Sequence, residues 1–226
     1  MEESADIAFT MDGRAVEARP GENVLAAARR IGIAIPALCH HKAILPYGAC
    51  RLCVVEVRKG KRCKIVTSCI YTPADGDAIE TNNGKIRQLR KMVLELLLAR
   101  CPDVGLIRDL AAEYGVGKAS RFAASGDHHR CILCGLCVRV CAEAIGQHAI
   151  GYANRGGRRT IATPFGARSE NCIGCGACVF VCPTGALSMT DMPGARVMNE
   201  MHTSIPMAKC GRCGNEFATL KQIEKT

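Results

Sequence analysis

The chain of 226 residues contains no tryptophan and has only four tyrosines and five phenylalanines. Aromatic side chains supply much of the area buried in ordinary cores and the faces on which nucleic-acid bases stack, and few are available here for either role. The hydrophobic fraction, 48%, is nevertheless ordinary for a globular protein. We therefore expect a folded chain in which something other than aromatic packing helps to hold the core.

Targeting signals are also missing from the sequence. The segment Met1–Asp6 is acidic and has neither the basic nor the apolar region of a signal peptide. No run approaches the roughly 18 apolar residues of a membrane span, and the longest, 92–99, contains Glu95. The sequence predicts a cytoplasmic chain, with peripheral membrane association left open, whose cysteines bind metal rather than form disulfides.

Motifs for nucleotide binding and catalysis are absent as well. No G-x-G-x-x-G follows a predicted strand, and no G-x-x-x-x-G-K-S/T occurs. Neither a Ser/His/Asp arrangement nor a carboxylate pair for acid–base chemistry is evident. We therefore predict no substrate site on this chain and expect the bond-making chemistry on partner subunits.

Cysteine, in contrast, is abundant: the chain has sixteen. Two groups share the spacing C-x2-C-x2-C-x3-C and form an internal repeat. The groups are Cys39, Cys50, Cys53 and Cys69; Cys131, Cys134, Cys137 and Cys141; Cys172, Cys175, Cys178 and Cys182; and Cys210 with Cys213, which leaves Cys63 and Cys101 alone.

The repeated run is typical of bacterial ferredoxins with two [4Fe–4S] clusters, in which the fourth cysteine of each run binds the other cluster. Cys182 precedes Pro183, as in the bacterial run, whereas Cys141 precedes Ala142. Zinc is the alternative, but two four-cysteine runs exceed the ligands that one zinc ion needs. The predicted ligand sets are Cys131, Cys134, Cys137 and Cys182 for one cluster, and Cys172, Cys175, Cys178 and Cys141 for the other.

The first group has the spacing C-x10-C-x2-C-x15-C. The plant-type [2Fe–2S] pattern, C-x4-C-x2-C…C, has the same central pair and distant fourth cysteine but a shorter first loop. A Rieske centre would need a histidine where this chain has Cys53, so His40 and His41 are not predicted as ligands. We predict a [2Fe–2S] cluster on Cys39, Cys50, Cys53 and Cys69, with a structural zinc site as the alternative.

The segments between the cysteines indicate an α+β fold. Asp12-Gly13 lies between alternating segments and predicts a hairpin, and residues 23–31 have helical periodicity. A second helix after residue 84 is predicted to place Ile86 and Leu94 on one apolar face and Arg90 outside that face. A third helix is predicted over 103–114, followed by a polar connector at 120–130.

The sequence around the first three cysteine groups resembles a known family. The stretch 39–69, with Tyr47-Gly-Ala-Cys-Arg-Leu-Cys-Val-Val-Glu-Val, is similar to the N-terminal [2Fe–2S] domain of the complex I iron–sulfur (NuoG-like) subunit. The similarity continues through 131–141, 161–165 and 182–187, and covers roughly residues 6 to 190. Related diaphorase-type subunits occur in NAD-reducing and bifurcating hydrogenases and in NAD-dependent formate dehydrogenases.

The resemblance implies both an architecture and a function. The architecture is a β-grasp [2Fe–2S] ferredoxin domain at 1–84, a helical linker at 85–125, a two-cluster [4Fe–4S] ferredoxin domain at 126–190 and a short ribbon-like tail at 191–226. The function is to relay single electrons between a flavin/NAD(H)-type subunit and a catalytic subunit of a multi-subunit oxidoreductase. The alternatives are a free, diffusible multi-cluster ferredoxin and a zinc-based nucleic-acid-binding protein.

One departure from the family concerns the linker. Many members carry a further [4Fe–4S] cluster there, bound by one histidine and three cysteines, but this chain has only Cys101 at the corresponding place. We predict that this cluster is absent and that Cys101 is a buried thiol. Cys63 is likewise predicted to be a buried thiol.

The tail contains a Cys-x2-Cys knuckle, and Cys210 and Cys213 are a candidate site for zinc or another metal, with His202 as a candidate third ligand. Its methionines are predicted to line a docking surface: Met189, Met192, Met198, Met201 and Met207.

The formal charge of +9 treats every cysteine as neutral. Each oxidised cluster with four thiolates has a net charge of about −2, so three clusters would lower the charge to about +3. We therefore interpret the basic excess as compensation for the clusters rather than as a nucleic-acid surface.

Overall fold

A computed structural model describes residues 7–117, 121–123 and 129–225. The described residues form two compact units: one contains those up to His40 and from 46 to 134, and the other contains 41–45 and 135–225. The predicted connector at 120–130 lies largely outside the described residues, as does Met1–Asp6. Within the described part of the chain, no helix has both the length and the apolar character needed to span a membrane.

The first unit is built on a mixed five-stranded sheet. Its strands are β1 (Ile7–Met11), β2 (Arg14–Ala18), β3 (Val54–Lys59), β4 (Arg62–Thr67) and β5 (Ala78–Glu80). The order is β2-β1-β5-β3-β4, with β1 and β5 parallel and the other neighbours antiparallel. Helix α1 (Val24–Arg30) contributes buried side chains to the same core as the sheet.

Local sequence accounts for the start of this unit. Asp12 and Gly13 have φ of +49° and +77°, and two positive φ angles are what a tight hairpin of this type requires. The predicted hairpin is therefore confirmed. The predicted first helix is confirmed as well, and the side chain of Asn23 caps it by accepting from the Ala26 N–H at 2.9 Å.

Two further helices, α2 (Gly84–Arg100) and α3 (Gly105–Glu113), pack against each other, and α2 also packs against β3. The prediction that Arg90 lies off the apolar face of helix α2 was wrong. Ile86, Arg90 and Leu94 are all buried, because residues four apart lie on the same face of a helix. This places a guanidinium on the inner face of α2.

In the second unit, two short helices begin inside the cysteine runs. They are α4 (Leu136–Arg139), continued by a π-helical turn over Val140–Ala144, and α5 (Ala177–Phe180). They pack against each other. A small hairpin of β6 (Gly151–Ala153) and β7 (Thr160–Ala162) lies between them in the sequence.

The C-terminal segment forms more structure than the predicted short ribbon. Strands β8 (Met189–Met192), β9 (Ala195–Met198), β10 (Thr203–Lys209) and β11 (Glu216–Thr219) form an antiparallel sheet in the order β11-β10-β9-β8, and α6 (Leu220–Lys225) packs against it. Pro206 made β10 hard to predict. It is tolerated because it is the last residue paired with β9, and pairing with β11 begins at Met207.

The predicted methionine docking surface is not formed as a set. Met198, Met201 and Met207 are buried, whereas Met189 and Met192 are exposed. Three of the five therefore fill the core of the second unit, the use to which flexible methionine side chains are well suited.

Candidate iron–sulfur sites

The structure brings the four cysteines of the first group together at one end of the first sheet. Cys53 precedes β3 and Cys69 follows β4, and their Sγ atoms are 3.4 Å apart. Cys39 and Cys50 come from the loop between α1 and β3, where the Cys50 N–H donates to Cys39 Sγ at 3.3 Å. All four side chains are buried.

These thiols form two hydrogen-bonded pairs. The Cys39 thiol lowers the pKa of Cys50 to about 6, and backbone N–H groups assist. Cys69 likewise lowers the pKa of Cys53 to about 7. The pKa values of Cys39 and Cys69 are raised, because each thiol is hydrogen-bonded to its partner sulfur and is buried. One thiol of each pair is thus prepared to become the thiolate that a metal requires.

The paired arrangement suits a two-iron cluster. A tetrahedral metal with metal–sulfur bonds of about 2.3 Å holds two thiolates about 3.8 Å apart, and the separation of Cys53 and Cys69 is close to this value. Each iron of a [2Fe–2S] cluster takes two protein thiolates. The residues present therefore fit one iron on each pair. Across the described residues, no group of three or more His, Cys, Asp and Glu side chains is placed to hold one metal ion.

The second unit contains a pocket lined by cysteines. Its walls include the four cysteines predicted for one [4Fe–4S] cluster: Cys141, Cys172, Cys175 and Cys178. Burial, and then the neighbouring sulfurs, raise the pKa of Cys178 to about 12. The Ala149 N–H donates to Cys141 Sγ at 3.3 Å, a bond of the kind that stabilises a ligand thiolate.

Left-handed backbone between the cysteines makes these runs compact. The residues concerned, with their φ angles, are Leu133 (+55°), Gly135 (+77°), Gly174 (+68°) and Gly176 (+74°). A Cβ on Gly174 would lie 2.9 Å from Thr219 Cγ2, and one on Gly135 would lie 2.2 Å from the hydroxyl of Tyr152. The two glycines therefore permit a close approach that no other residue type allows.

The remaining predicted ligands are divided between the two units. Cys131 and Cys134 belong to the first unit, and Cys137 and Cys182 to the second. In the first unit, Arg100 donates to the carbonyl of Cys131 at 2.8 Å. Main-chain N–H groups donate to Cys131 Sγ at 3.4 Å and to Cys182 Sγ at 3.2 Å. Both sulfurs thus have backbone donors of the type found around cluster ligands.

The C-terminal knuckle forms the turn between β10 and β11. The N–H groups of Cys213 and Arg212 lower the pKa of the Cys210 thiol, and Cys213 is exposed. His202 precedes β10, whereas Cys210 follows it. Because seven extended residues span about 23 Å, the structure does not bring His202 to the pair.

The two single cysteines differ in their surroundings. Cys101 is buried, as predicted, and burial raises its pKa to about 11. Cys63 is exposed, so the prediction that it is buried was wrong. It lies on β4, which is an edge strand of the first sheet.

Comparisons with known proteins identify two iron–sulfur domains in the chain. Residues 4–84 match the family described as "2Fe-2S iron-sulfur cluster binding domain", and residues 130–186 match the "4Fe-4S dicluster domain". The chain is 36% identical over 205 residues to an NADH-quinone oxidoreductase subunit of Rhizobium meliloti, and 36% identical over 203 residues to the alpha subunit of the NADPH-Fe(3+) oxidoreductase of Geobacter sulfurreducens. Each alignment includes 80% of this chain and 24% of the relative, so the chain spans about a quarter of the length of these curated relatives.

A solved structure is similar over a larger share of its own length. A chain in the crystal structure of an NAD+-reducing [NiFe]-hydrogenase in the H2-reduced state is 31% identical, with a TM-score of 0.60. The match covers 70% of this chain and 75% of that one.

Proposed function

Because the chain belongs to the family of NuoG-like, diaphorase-type iron–sulfur subunits, we propose that it relays single electrons between a flavin/NAD(H)-type subunit and a catalytic subunit of a multi-subunit oxidoreductase. The observation that carries this proposal is the convergence of the first four cysteines as two thiol pairs, of which Cys53 and Cys69 have their sulfurs 3.4 Å apart. A relay needs such sites and no substrate pocket of its own.

The proposed architecture follows the sequence-based boundaries. Residues 1–84 form a β-grasp [2Fe–2S] domain, 85–125 a helical linker, 126–190 a two-cluster ferredoxin domain and 191–226 the tail. The parallel pairing of β1 and β5 inside a mixed sheet supports the first assignment, and the family matches at 4–84 and 130–186 support the order of the cluster domains.

The proposed ligands are the twelve cysteines of the first three groups. An iron–sulfur cluster, when bound, accepts and releases one electron at a time. The sets are Cys39, Cys50, Cys53 and Cys69 for the [2Fe–2S] cluster; Cys131, Cys134, Cys137 and Cys182 for one [4Fe–4S] cluster; and Cys172, Cys175, Cys178 and Cys141 for the other. The chain's own contribution is to exclude water from these sulfurs and to donate N–H groups to them, as Leu38 does to Cys50 at 3.4 Å.

The proposed partners follow from the names of the relatives. These proteins are an NADH-quinone oxidoreductase subunit, an NADPH-Fe(3+) oxidoreductase subunit and a chain of an NAD+-reducing hydrogenase. All three names include a nicotinamide nucleotide, which supports a flavin/NAD(H)-type subunit on one side of the relay. A diffusible ferredoxin remains the second candidate, and purification from the native source separates the two: co-elution with flavin and catalytic subunits supports the complex, and elution alone contradicts it.

The cluster assignment is tested by anaerobic purification of the full chain with iron analysis and EPR spectroscopy. We expect about ten irons per chain, the sum for one [2Fe–2S] and two [4Fe–4S] clusters. Cys53→Ser should abolish the [2Fe–2S] signal and keep the others, Cys175→Ser should affect a [4Fe–4S] signal only, and the matched control Cys63→Ser should change neither. A colourless, iron-free chain after anaerobic reconstitution contradicts the proposal.

We also propose that Cys210 and Cys213 form half of a metal site, completed by ligands from outside the described residues. Its support is the knuckle geometry, in which two main-chain N–H groups stabilise the Cys210 thiolate. X-ray absorption at the zinc edge should detect sulfur-bound zinc in the full chain and lose it in the Cys210→Ser/Cys213→Ser variant. Equal zinc in both proteins contradicts this assignment.

A further inference from the structure

Arg90 is among the most deeply buried charged side chains of the described chain, with 1% of its surface exposed. Its guanidinium makes three hydrogen bonds. It donates to the carbonyls of Leu52 at 2.9 Å and Val54 at 2.8 Å, and to the hydroxyl of Tyr114 at 3.2 Å. The side chain is therefore fixed in position, and all three acceptors are neutral.

No carboxylate of the described residues lies within ion-pair distance of Arg90. The one buried glutamate of β3, Glu56, is engaged by Arg58 at 2.5 Å and Lys85 at 3.6 Å. A buried charge without a counter-charge is strongly unfavourable, and proteins ordinarily pair it. The positive charge of Arg90 thus lacks the partner that its burial calls for.

The position of Arg90 indicates where that partner lies. Leu52 and Val54 are the two neighbours of Cys53 in the sequence, and the Leu52 N–H also stabilises the thiolate of Cys50. Arg90 therefore binds the main-chain carbonyls on both sides of Cys53, one of the proposed ligands. In a trans peptide the N–H points away from the carbonyl, so the guanidinium also polarises the Cys53 N–H on the opposite side.

We propose that Arg90 is a positioning residue of the first site: it fixes the Leu52–Val54 segment and supplies the buried positive charge that compensates the cluster on Cys39, Cys50, Cys53 and Cys69. The inference rests on the proposed [2Fe–2S] assignment. Four thiolates give an oxidised cluster a net charge of about −2, and one electron makes it about −3. The attraction to a fixed cation grows with this charge. Arg90 therefore favours the reduced form and raises the reduction potential.

The test is a redox titration of the anaerobic full chain, with the [2Fe–2S] signal followed by EPR. We expect Arg90→Met to shift the equilibrium constant for reduction toward the oxidised form by about tenfold, which is 59 mV for a one-electron couple. Arg90→Lys keeps the charge, so its potential should stay close to that of the wild type. The matched control is Arg108→Gln, which removes an exposed cation from the neighbouring helix α3 and should leave the potential unchanged.

A second variant tests the charge without removing the arginine. Tyr114→Glu places a carboxylate beside the guanidinium, whereas Tyr114→Phe removes only the hydroxyl. We expect the glutamate variant to lower the potential as Arg90→Met does and the phenylalanine variant to have little effect. The Tyr114 variants test the charge compensation by Arg90 even if Arg90→Met fails to fold. Wild-type potentials in Tyr114→Glu, or in a folded Arg90→Met with an intact signal, would overturn the inference. Absence of the [2Fe–2S] signal from the wild-type chain would instead contradict the proposed function.

Discussion

Leu133 and Gly174 occupy the same position in the two cysteine repeats and have the same left-handed backbone, with φ of +55° and +68°. A residue with a Cβ in this conformation costs about 1–2 kcal/mol relative to glycine. The first repeat tolerates that cost. The second does not, because a Cβ at Gly174 would lie 2.9 Å from Thr219 Cγ2 and 3.0 Å from Ile205 Cδ1.

We therefore expect Gly174→Ala to destabilise the protein by about 2–5 kcal/mol, the sum of backbone strain and overpacking. Anaerobic urea unfolding of the full chain measures this change. Gly157→Ala is the matched control, since its Cβ would meet no atom within 4 Å and its φ is not in the left-handed range. Adding Thr219→Ser to Gly174→Ala removes the methyl group and should recover part of the loss. A Gly174→Ala protein as stable as the control would disprove the packing argument.

The hairpin residue Asp12 supports a second prediction. Its carboxylate accepts from the Thr81 N–H at 2.7 Å and from the Thr81 hydroxyl at 2.5 Å, and its own φ is +49°. Asp12→Ala loses both hydrogen bonds and strains the turn, so we expect about 3 kcal/mol of destabilisation. Asp12→Gly loses the bonds without the strain and should cost about 1–2 kcal/mol less. Equal losses in urea unfolding would show that the turn is unstrained.

The contrast between Asp12 and Arg90 shows what the sequence could predict. The turn at Asp12-Gly13 depends on adjacent residues, and the cysteine runs depend on fixed local spacings, so both were predictable. The hydrogen bonds from Arg90 to Leu52 and Val54 join residues 38 and 36 positions apart. The four-residue spacing of Arg90 from Ile86 and Leu94 indicates only that the three share a face of the helix. The two carbonyl partners could not be predicted, because residues so distant in the sequence meet only after the helix has packed on the sheet.

The C-terminal sheet was missed for a related reason. Strands β8, β9 and β11 have four residues each, too few to establish an alternating pattern. β10 contains Pro206, which ordinarily argues against a strand. The pairing that makes these segments strands comes from their neighbours.

The hydrogen bond from the hydroxyl of Tyr71 to Asp77, 2.7 Å long, predicts a pH dependence. Burial, and then this bond, raise the pKa of Tyr71 to about 12. The folded state therefore favours the protonated hydroxyl, and the resulting stability is complete below the unfolded value of about 10 and is lost as the pH rises through 12. We expect the free energy of unfolding to fall more steeply between pH 10 and 12 in the wild type than in Tyr71→Phe.

At pH 8 the hydroxyl of Tyr71 is protonated and its hydrogen bond is intact, so Tyr71→Phe should be less stable than the wild type by about 1 kcal/mol. Tyr47→Phe, at an exposed tyrosine, is the control. Parallel pH profiles for the wild type and Tyr71→Phe would contradict the assignment of the raised pKa to Tyr71.

Cys101 and Cys63 provide the last prediction, which concerns chemical reactivity. Only a thiolate reacts readily with iodoacetamide, and it must also be accessible. The pKa of Cys101 is raised to about 11 by burial, whereas Cys63 is exposed. In the anaerobic full chain at pH 8, peptide mapping should find Cys63 alkylated and Cys101 unmodified until urea unfolds the protein. Labelling of Cys101 at the rate of Cys63 would contradict its burial.

Protection alone does not separate a buried thiol from a cluster ligand, because both resist alkylation. Iron content makes the distinction. If Cys101 is a thiol in the packing of α2 against α3, Cys101→Ala should cost stability through a small cavity, about 1 kcal/mol, and retain the iron of the wild type. A ligand would lose iron when substituted, as we expect for Cys175→Ser. Loss of iron in Cys101→Ala would therefore show that the linker holds a cluster after all, and retention would show that Cys101 is not a cluster ligand.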